Sequence, residues 1–259
     1  ADQFDTACQA MADFVDIKTP FTIGHSNRVA ALAADAAKRL GLPESDVTAV
    51  RRAGWLHDLG KTGVSAGIWM KAGPLTEKDW EWIRLHPYYT ERILQRPFAL
   101  SQLGEIAATH HEQLDGSGYY RGLTADSLTP AARILAAANA YQVKLEERPH
   151  RQALPPEEAA KEMQQKVRTG QLDSEAVHHV LAAAGHTPSR VRREMVAGLS
   201  QRQIEVLRLL AQGMTIKDVS NALVISPKTA DNHIQHIYNK IGVSTRAGAT
   251  LFAIENNLL

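Results

Sequence analysis

Trp55-Leu56-His57-Asp58-Leu59-Gly60-Lys61 is the most informative segment of the chain. Val47 and Gly54 precede His57 at helical spacing, so the pattern predicts a helix that ends here with His57 on its apolar face. Asp58 lies about 100° further round such a helix and can reach the same point. Imidazole and carboxylate are ligands of first-row transition metals, and the pair is therefore a candidate metal site.

The composition allows one large domain or two smaller ones. The chain has 259 residues and a net charge of +1, and its single cysteine, Cys8, excludes an internal disulfide and a thiolate metal site. No apolar run approaches the roughly 18 residues of a membrane span, and no signal peptide is visible. We therefore expect a cytoplasmic protein with no membrane partner. Because Ala1 lies inside a predicted helix, we also expect that the sequence is a fragment of a longer chain.

Apolar residues recur at helical spacing along the chain, and no segment alternates with the period of a strand. The predicted fold class is therefore all-α. Residues 186–198 lack an apolar stripe and contain a proline and three arginines, so they are predicted to be a linker. The domains are then expected at 1–185 and 199–259, and the second should contain four short helices.

Histidines on predicted apolar faces are the other candidate metal ligands. We expect His110 and His111 to share the apolar face of one helix, and Ser26 to cap another. Imidazole nitrogens with a bridging carboxylate suit two ions of iron or manganese, not calcium, and such a pair can activate water and clamp a phosphate. The alternative is that each histidine is an ordinary hydrogen-bonded residue. The candidates are His25, His57, Asp58, His86, His110 and His111.

A set of motifs along residues 1–185 resembles the HD-GYP domain. The motifs are Asp16-x-Lys18, Thr22-x-x-His25-Ser26-x-Arg28-Val29, His57-Asp58-x-Gly60-Lys61, His86-Pro87 and His110-His111-Glu112-x-x-Asp115-Gly116-x-Gly118-Tyr119. Members of that family are helical and hydrolyse cyclic di-GMP with two or three metal ions. The resemblance implies a dinuclear site with Asp58 as the bridging ligand.

The resemblance also implies a role for each matching residue. His25, His57 and Asp58 would hold one ion, with Asn139 as a further ligand, and Asp58, His86, His110 and His111 would hold the other. Asp58 and Lys61 would be the catalytic pair, with Lys61 neutralising a substrate phosphate. The implied substrate-binding residues are Lys61, Gly118, Tyr119 and Arg148.

Several positions depart from the family pattern. Tyr120 stands where the family has the proline of GYP, and Asn139 and Gln142 stand where it has aspartates. Because the first of these aspartates is a metal ligand in the family, Asn139 removes one negative charge from the site. Phe21 replaces a carboxylate that three-metal members carry. We therefore expect at most two ions and slow or absent hydrolysis of cyclic di-GMP.

A helix predicted to begin at Ser226-Pro227 has a polar outer face. Ala230, Ile234 and Ile237 point inward at helical spacing. Long polar side chains on the opposite face suit base edges, and lysines suit phosphates. The alternative is an ordinary solvated helix face.

The last segment as a whole closely resembles the LuxR-type helix-turn-helix. The matching residues run from Leu199-Ser200-x-Arg202-Gln203 through Ser226-x-Lys228-Thr229 to Lys240-Ile241-Gly242-Val243. The resemblance implies a dimer that binds duplex DNA. It assigns base contacts to Asp231, Asn232 and Gln235, and phosphate contacts to Lys217, Lys228, Thr229 and Lys240.

Three interpretations follow for the whole chain. In each, an N-terminal HD-GYP-type domain is joined to a DNA-binding output, giving a transcription regulator. The first domain is an active metal phosphodiesterase, a degenerate receptor for metal or nucleotide, or a phosphohydrolase that acts on a different nucleotide. The intact His57-Asp58 and His110-His111 pairs favour activity, whereas Asn139 and Tyr120 favour the receptor.

Overall fold

The computed structural model describes residues 2–187, 197, 199, 201–223, 225–256 and 258. Within these ranges the regular structure is helical, apart from two isolated β-bridges. The prediction of an all-α fold is confirmed. The α-helices are α1 (Asp2–Asp16), α2 (His25–Leu40), α3 (Glu44–Leu56), α4 (Ala66–Trp69), α5 (Glu77–Arg84), α6 (His86–Leu94), α7 (Phe98–Ala107), α8 (Pro130–Lys144), α9 (Pro156–Arg168), α10 (Ser174–Ala183), α11 (Gln201–Ala211), α12 (Ile216–Ala222), α13 (Pro227–Ile241) and α14 (Arg246–Glu255).

The chain divides into two compact units, Ala1–Arg193 and Glu194–Leu259, which we call the N-terminal unit and the C-terminal unit. Most of the predicted linker, 186–198, lies outside the described residues. No described helix combines the length and the apolar composition that crossing a bilayer requires.

Small residues let the central helices of the N-terminal unit approach closely. Helix α2 packs against α1, α3, α8 and α10, and its inner face is built largely from buried alanines. A Cβ atom on Gly54 would lie 2.7 Å from the Cα atom of Ala30, so only glycine permits this crossing of α2 and α3. The crossing brings the start of α2 next to the end of α3, where His25 and His57 lie.

A second close approach joins the turn after α3 to the first turn of α6. A Cβ atom on Gly60 would lie 1.9 Å from the backbone oxygen of His86. The amide of Gly60 donates to Oγ1 of Thr90, and that hydroxyl donates to the backbone oxygen of His57. Gly60 therefore fixes the distance between Asp58 and the histidine that opens α6.

Two local predictions are wrong. Ser26 does not cap α2, because the helix already begins at His25 after Gly24, whose φ of 73° is left-handed. Helix α7 ends at Ala107, so His110 and His111 lie in the turn that follows and not on a helical face. Beyond Ala107 the chain turns, and both rings point to the same place as His86.

The C-terminal unit consists of α11 to α14 around its own apolar core. Val206, Leu207 and Ile237 are fully buried in that core. Thr215 and Asp218 form a capping box at the start of α12, and Oγ of Ser226 accepts from the third amide of α13. These caps satisfy backbone donors that a helix leaves free at its N-terminus. The four predicted helices are confirmed for this unit.

Candidate functional site

Asp58 lies among four buried imidazoles. Its Oδ2 atom is 3.5 Å from Nε2 of His25 and 3.2 Å from Nε2 of His57. Its Oδ1 atom is 3.5 Å from Nε2 of His86 and 3.6 Å from Nε2 of His110. One carboxylate thus faces two histidines with each of its oxygens.

The candidate ligands fall into two groups on either side of this carboxylate. Within each group, one potential ligand atom from every residue lies within 4.8 Å of the others. The distances suit ligands that would share one ion after small adjustments of the side chains. The first group is His25, His57 and Asp58, and the second group is His86, His110 and His111.

Each of the four rings that face Asp58 is oriented by a contact at its Nδ1 atom. The Nδ1 atoms of His57, His86 and His110 lie 2.7, 2.6 and 2.7 Å from the backbone oxygen three residues earlier. Nδ1 of His25 lies 2.8 Å from Oε2 of Glu146. Because such oxygens only accept, each Nδ1 carries the proton and donates it. Each Nε2 therefore presents a lone pair towards Asp58.

Lone pairs that face a carboxylate repel it unless a cation lies between them. Burial lowers the pKa of His25 and of His86 to about 4, so these rings are neutral at neutral pH. Nε2 of His86 also lies 3.0 Å from Nε2 of His110. Among the described side chains, Nε2 of His25 and Nε2 of His57 are buried without a hydrogen bond. This donor set fits divalent ions of the first transition row.

Lys61 places a positive charge next to Asp58. Its Nζ atom is 2.5 Å from Oδ2 of Asp58 and 5.3 Å from the ring centroid of Trp69. Burial opposes the charged form of Asp58, but the positive charge of Lys61 favours it, and the pKa of the carboxyl lies well below its usual range. Asp58 is therefore a carboxylate at neutral pH, the form that can ligate a cation.

Other predicted site residues line the same cleft as Asp58. Asn139, on α8, lines the cleft and is 3% exposed. Tyr119 also lines it and stacks on His111, with ring centroids 4.5 Å apart and planes 20° apart. Burial raises the pKa of Tyr119, so its hydroxyl stays protonated. The structure thus brings together side chains that lie far apart in the sequence, such as Asp58 and Asn139, which are 81 positions apart.

Arg148 and Gly118 have structural partners of their own. Arg148 lines the cleft, but its Nη1 donates to the backbone oxygen of Phe21 at 2.7 Å, and its Nη2 donates to Glu146 at 2.8 Å. A Cβ atom on Gly118 would lie 2.4 Å from the backbone nitrogen of Gln113. Gly118 therefore lets its loop pack against the preceding turn. Contact of either residue with a substrate stays a prediction.

Two buried glutamates hold the glycine-rich loop. Glu112 accepts from the backbone amides of Arg121 and Leu123, both at 2.8 Å. Glu91, on α6, accepts from the hydroxyl of Tyr120 and from the guanidinium of Arg121. Tyr120, at the position of the expected proline, thus ties the loop to α6. The departure from the motif has a structural role here.

Asp16 and Glu146 help to orient the first group; the sequence motifs include Asp16 without assigning it a role, and they do not include Glu146. Asp16 accepts from the backbone amide and the hydroxyl of Ser26, each at 2.8 Å, and so holds the first turn of α2. Glu146 accepts from Nδ1 of His25 and, at 2.9 Å, from the amide of Gln142. Glu146 follows the end of α8, and nothing in the local sequence signals its contact with His25.

In the C-terminal unit, the predicted DNA-contacting residues lie on the outside of α12 and α13. Asp231 is the exception, because it is half-buried. The hydroxyl of Thr229 lies 2.8 Å from that of Ser226, and Lys240 donates to Gln203 at 2.8 Å. The residues whose exposure permits contact with DNA are Lys217, Lys228, Thr229, Asn232, Gln235 and Lys240.

Comparison with known families assigns the N-terminal unit. Residues 9–176 match the family described as HD domain, and this range contains every member of both ligand groups. The chain belongs to the HD domain family. Residues 197–253 match the family described as bacterial regulatory proteins, luxR family. The predicted combination of an HD-GYP-type domain with a LuxR-type helix-turn-helix is confirmed.

Relatives of the N-terminal unit, also called the HD unit from here on, are phosphodiesterases by name. The unit is 39% identical over 160 residues to 3'3'-cGAMP-specific phosphodiesterase 3 of Vibrio cholerae, which is 62% of this chain and 35% of the relative. It is 39% identical over 142 residues to a cyclic di-GMP phosphodiesterase of Thermotoga maritima, which is 54% of this chain and 39% of the relative. The chain thus spans little more than a third of the length of these relatives.

A solved structure supports the fold assignment. An HDG"Y"P protein from Bdellovibrio bacteriovorus superposes with a TM-score of 0.56 at 18% sequence identity. The alignment covers 71% of this chain and 64% of the other. At this identity the similarity shows the fold alone.

Proposed function

We propose that the chain is a DNA-binding transcription regulator whose HD unit binds divalent metal and senses, or slowly hydrolyses, a cyclic dinucleotide. The observation that carries this proposal is the Asp58 carboxylate with Nε2 lone pairs on both sides. The first group would hold one ion and the second group the other. Two ions of iron or manganese suit this mixture of imidazole and carboxylate.

When bound, such a pair supplies Lewis acidity and an activated water for attack on a phosphate. The chain's own residues supply the rest of the cleft. Lys61 carries a positive charge that can neutralise a phosphate oxygen. Trp69, Trp80 and Tyr119 line the same cleft and offer faces on which bases stack. Cationic and aromatic groups in one cleft suit a ligand that contains both phosphates and bases.

Asn139 favours sensing over fast turnover. It lies buried in the cleft and brings a neutral amide where a carboxylate would strengthen the hold on a cation. The first group therefore has Asp58 as its single charged member, and the second group shares that same charge. We expect the ion of the first group to bind more weakly than that of the second.

An active metal-dependent phosphodiesterase is the second candidate. The observation that favours it is the complete set of histidines around Asp58, with Lys61 in contact with the same carboxylate. Its substrate would be cyclic di-GMP or another nucleotide. Relatives named for 3'3'-cGAMP and for cyclic di-GMP make these two compounds the first to assay.

The C-terminal unit would supply the output. Exposed lysines and amides on α12 and α13 suit a duplex, with Lys217 and Lys228 towards phosphates and Asn232 and Gln235 towards bases. We also propose that the protein binds its site as a homodimer, because a two-fold protein matches a palindromic operator.

The proposal is tested on the full chain by three measurements on one preparation. Elemental analysis gives the metal content, a binding and turnover assay uses cyclic di-GMP and 3'3'-cGAMP, and a gel shift uses duplex DNA. The proposal expects metal, nucleotide binding with slow turnover, and a DNA complex. Fast turnover of either compound would favour the second candidate, and protein that takes up no iron or manganese would overturn both.

A further inference from the structure

Glu146 is the most heavily hydrogen-bonded carboxylate near the first group. Its Oε1 accepts from Arg28 Nη2 at 2.6 Å, from Arg28 Nε at 3.2 Å and from Gln142 Nε2 at 2.9 Å. Its Oε2 accepts from Arg148 Nη2 at 2.8 Å and from His25 Nδ1 at 2.8 Å. The side chain is 8% exposed, so these donors replace water around the charge.

This contact sets His25 apart from the other three rings around Asp58. His57, His86 and His110 are oriented by backbone oxygens of the preceding turn. His25 opens α2 after left-handed Gly24 and is oriented instead by a side chain 121 positions away. A carboxylate on the far side of a metal-binding imidazole fixes the tautomer of the ring and makes it a more basic ligand.

We propose that Glu146 is a positioning residue for the first group. It holds His25 in the tautomer whose Nε2 faces Asp58, and it places beside that ring a negative charge that Asn139 does not supply. The inference rests on the proposed function, because the ligand in question is the metal ion of that site. It goes further by explaining how the first group could retain an ion despite a neutral amide in the cleft.

The geometry predicts what an isosteric amide would do at this position. In Glu146→Gln one of the two side-chain oxygens becomes an NH2 group. An NH2 group at the Oε1 position would face three N–H donors, two of Arg28 and one of Gln142, from which it cannot accept. At the Oε2 position it would face only one fixed N–H donor, that of Arg148. The amide should therefore turn its NH2 towards His25. Nδ1 of His25 would then accept, its proton would move to Nε2, and the lone pair facing Asp58 would be lost.

The test combines two readouts on the full chain, one of which needs no metal. Nitrogen-15 NMR of histidine side chains in metal-free protein reports the tautomer of each ring, with His25→Gln used to assign the His25 signal. Equilibrium dialysis against Mn²⁺ with elemental analysis reports the affinity of each ion. The control variant is Glu162→Gln, which removes an exposed carboxylate that pairs with Lys144 on the surface.

The parent should show His25 protonated on Nδ1, and Glu146→Gln should move that proton to Nε2. The weaker Mn²⁺ ion should bind about 10- to 100-fold more weakly in Glu146→Gln, the range for loss of such an outer ligand, with the tighter ion and the control unchanged. A parent in which His25 is protonated on Nε2 overturns the inference, even if Glu146→Gln fails to fold. Unchanged Mn²⁺ binding in folded Glu146→Gln also overturns it. If the parent protein takes up no Mn²⁺ in the dialysis, that result contradicts the proposed function instead. The NMR measurement of the His25 tautomer then tests the positioning role of Glu146 by itself.

Discussion

The N-terminal unit buries its candidate functional side chains, whereas the C-terminal unit exposes them. Around Asp58 the side chains come from α2, α3, α6 and the turn after α7, and they are held by fixed partners such as backbone oxygens. On α12 and α13 the candidate side chains point outward from two neighbouring helices. Side chains that converge on one point suit a small ion, which needs several ligands at once. Side chains exposed along two helices suit a long, highly charged polymer.

The difference has consequences for how each region responds to substitution. A buried ligand that bridges two groups affects everything around it, because no water can replace its charge. A single exposed lysine among several phosphate contacts contributes one increment to binding. We therefore expect large, coupled effects in the N-terminal unit and small, additive ones in the C-terminal unit.

Asp58→Asn should have the largest effect. It removes the charge that both groups share, so uptake of iron or manganese should fall from near-stoichiometric to a small fraction of an ion per chain, and any phosphodiesterase turnover should disappear. Asp35→Asn, which removes an exposed carboxylate paired with Arg39, is the matched control. Elemental analysis after dialysis measures the result. Full metal content in folded Asp58→Asn would mean that the groups do not depend on this carboxylate.

Asn139→Asp should have an intermediate effect with the opposite sign. The new carboxylate adds a negative charge in the cleft, so the more weakly bound ion should bind about tenfold more tightly, which corresponds to about 1.4 kcal/mol. Any turnover of cyclic di-GMP should rise with it. Metal titration and initial rates of parent and variant, measured side by side, provide the check. A variant with unchanged affinity would show that Asn139 does not reach the ion.

Lys228→Ala should have the smallest effect. Loss of one phosphate contact should weaken binding to every duplex by several-fold and lower the slope of log affinity against log salt by about 1. Lys38→Ala, on the last turn of α2, removes the same charge from the N-terminal unit and should leave DNA binding unchanged. Gel-shift titrations at two salt concentrations test this. An identical salt slope in parent and Lys228→Ala would remove Lys228 from the interface.

The two regions also differ in how far the sequence predicts them. The C-terminal helices follow from local signals, such as the Thr215 capping box and the apolar spacing of α13, because each signal lies within a few residues of its effect. The sequence also predicts the end of α3 next to His57 for the same reason. The residues that meet around Asp58 could be named from motifs, but their meeting depends on long-range packing.

Glu146 shows most clearly what the sequence could not provide. Its contact with His25 joins the first turn of α2 to the segment after α8, and nothing local to either residue signals it. The turn that carries His110 is a similar case, because the apolar stripe of α7 continues past the point where the helix ends. Both depend on how helices far apart in sequence pack together.

A titration of the metal-free full chain with Mn²⁺, followed by electron paramagnetic resonance and elemental analysis, tests whether Asp58 lies between two ions. We expect two classes of bound ion that differ in affinity, with a spin-coupled pair once both are filled, because Asp58 faces both groups. A single class of site, or two ions that show no magnetic coupling at saturation, would contradict the assignment of Asp58 as a bridging ligand.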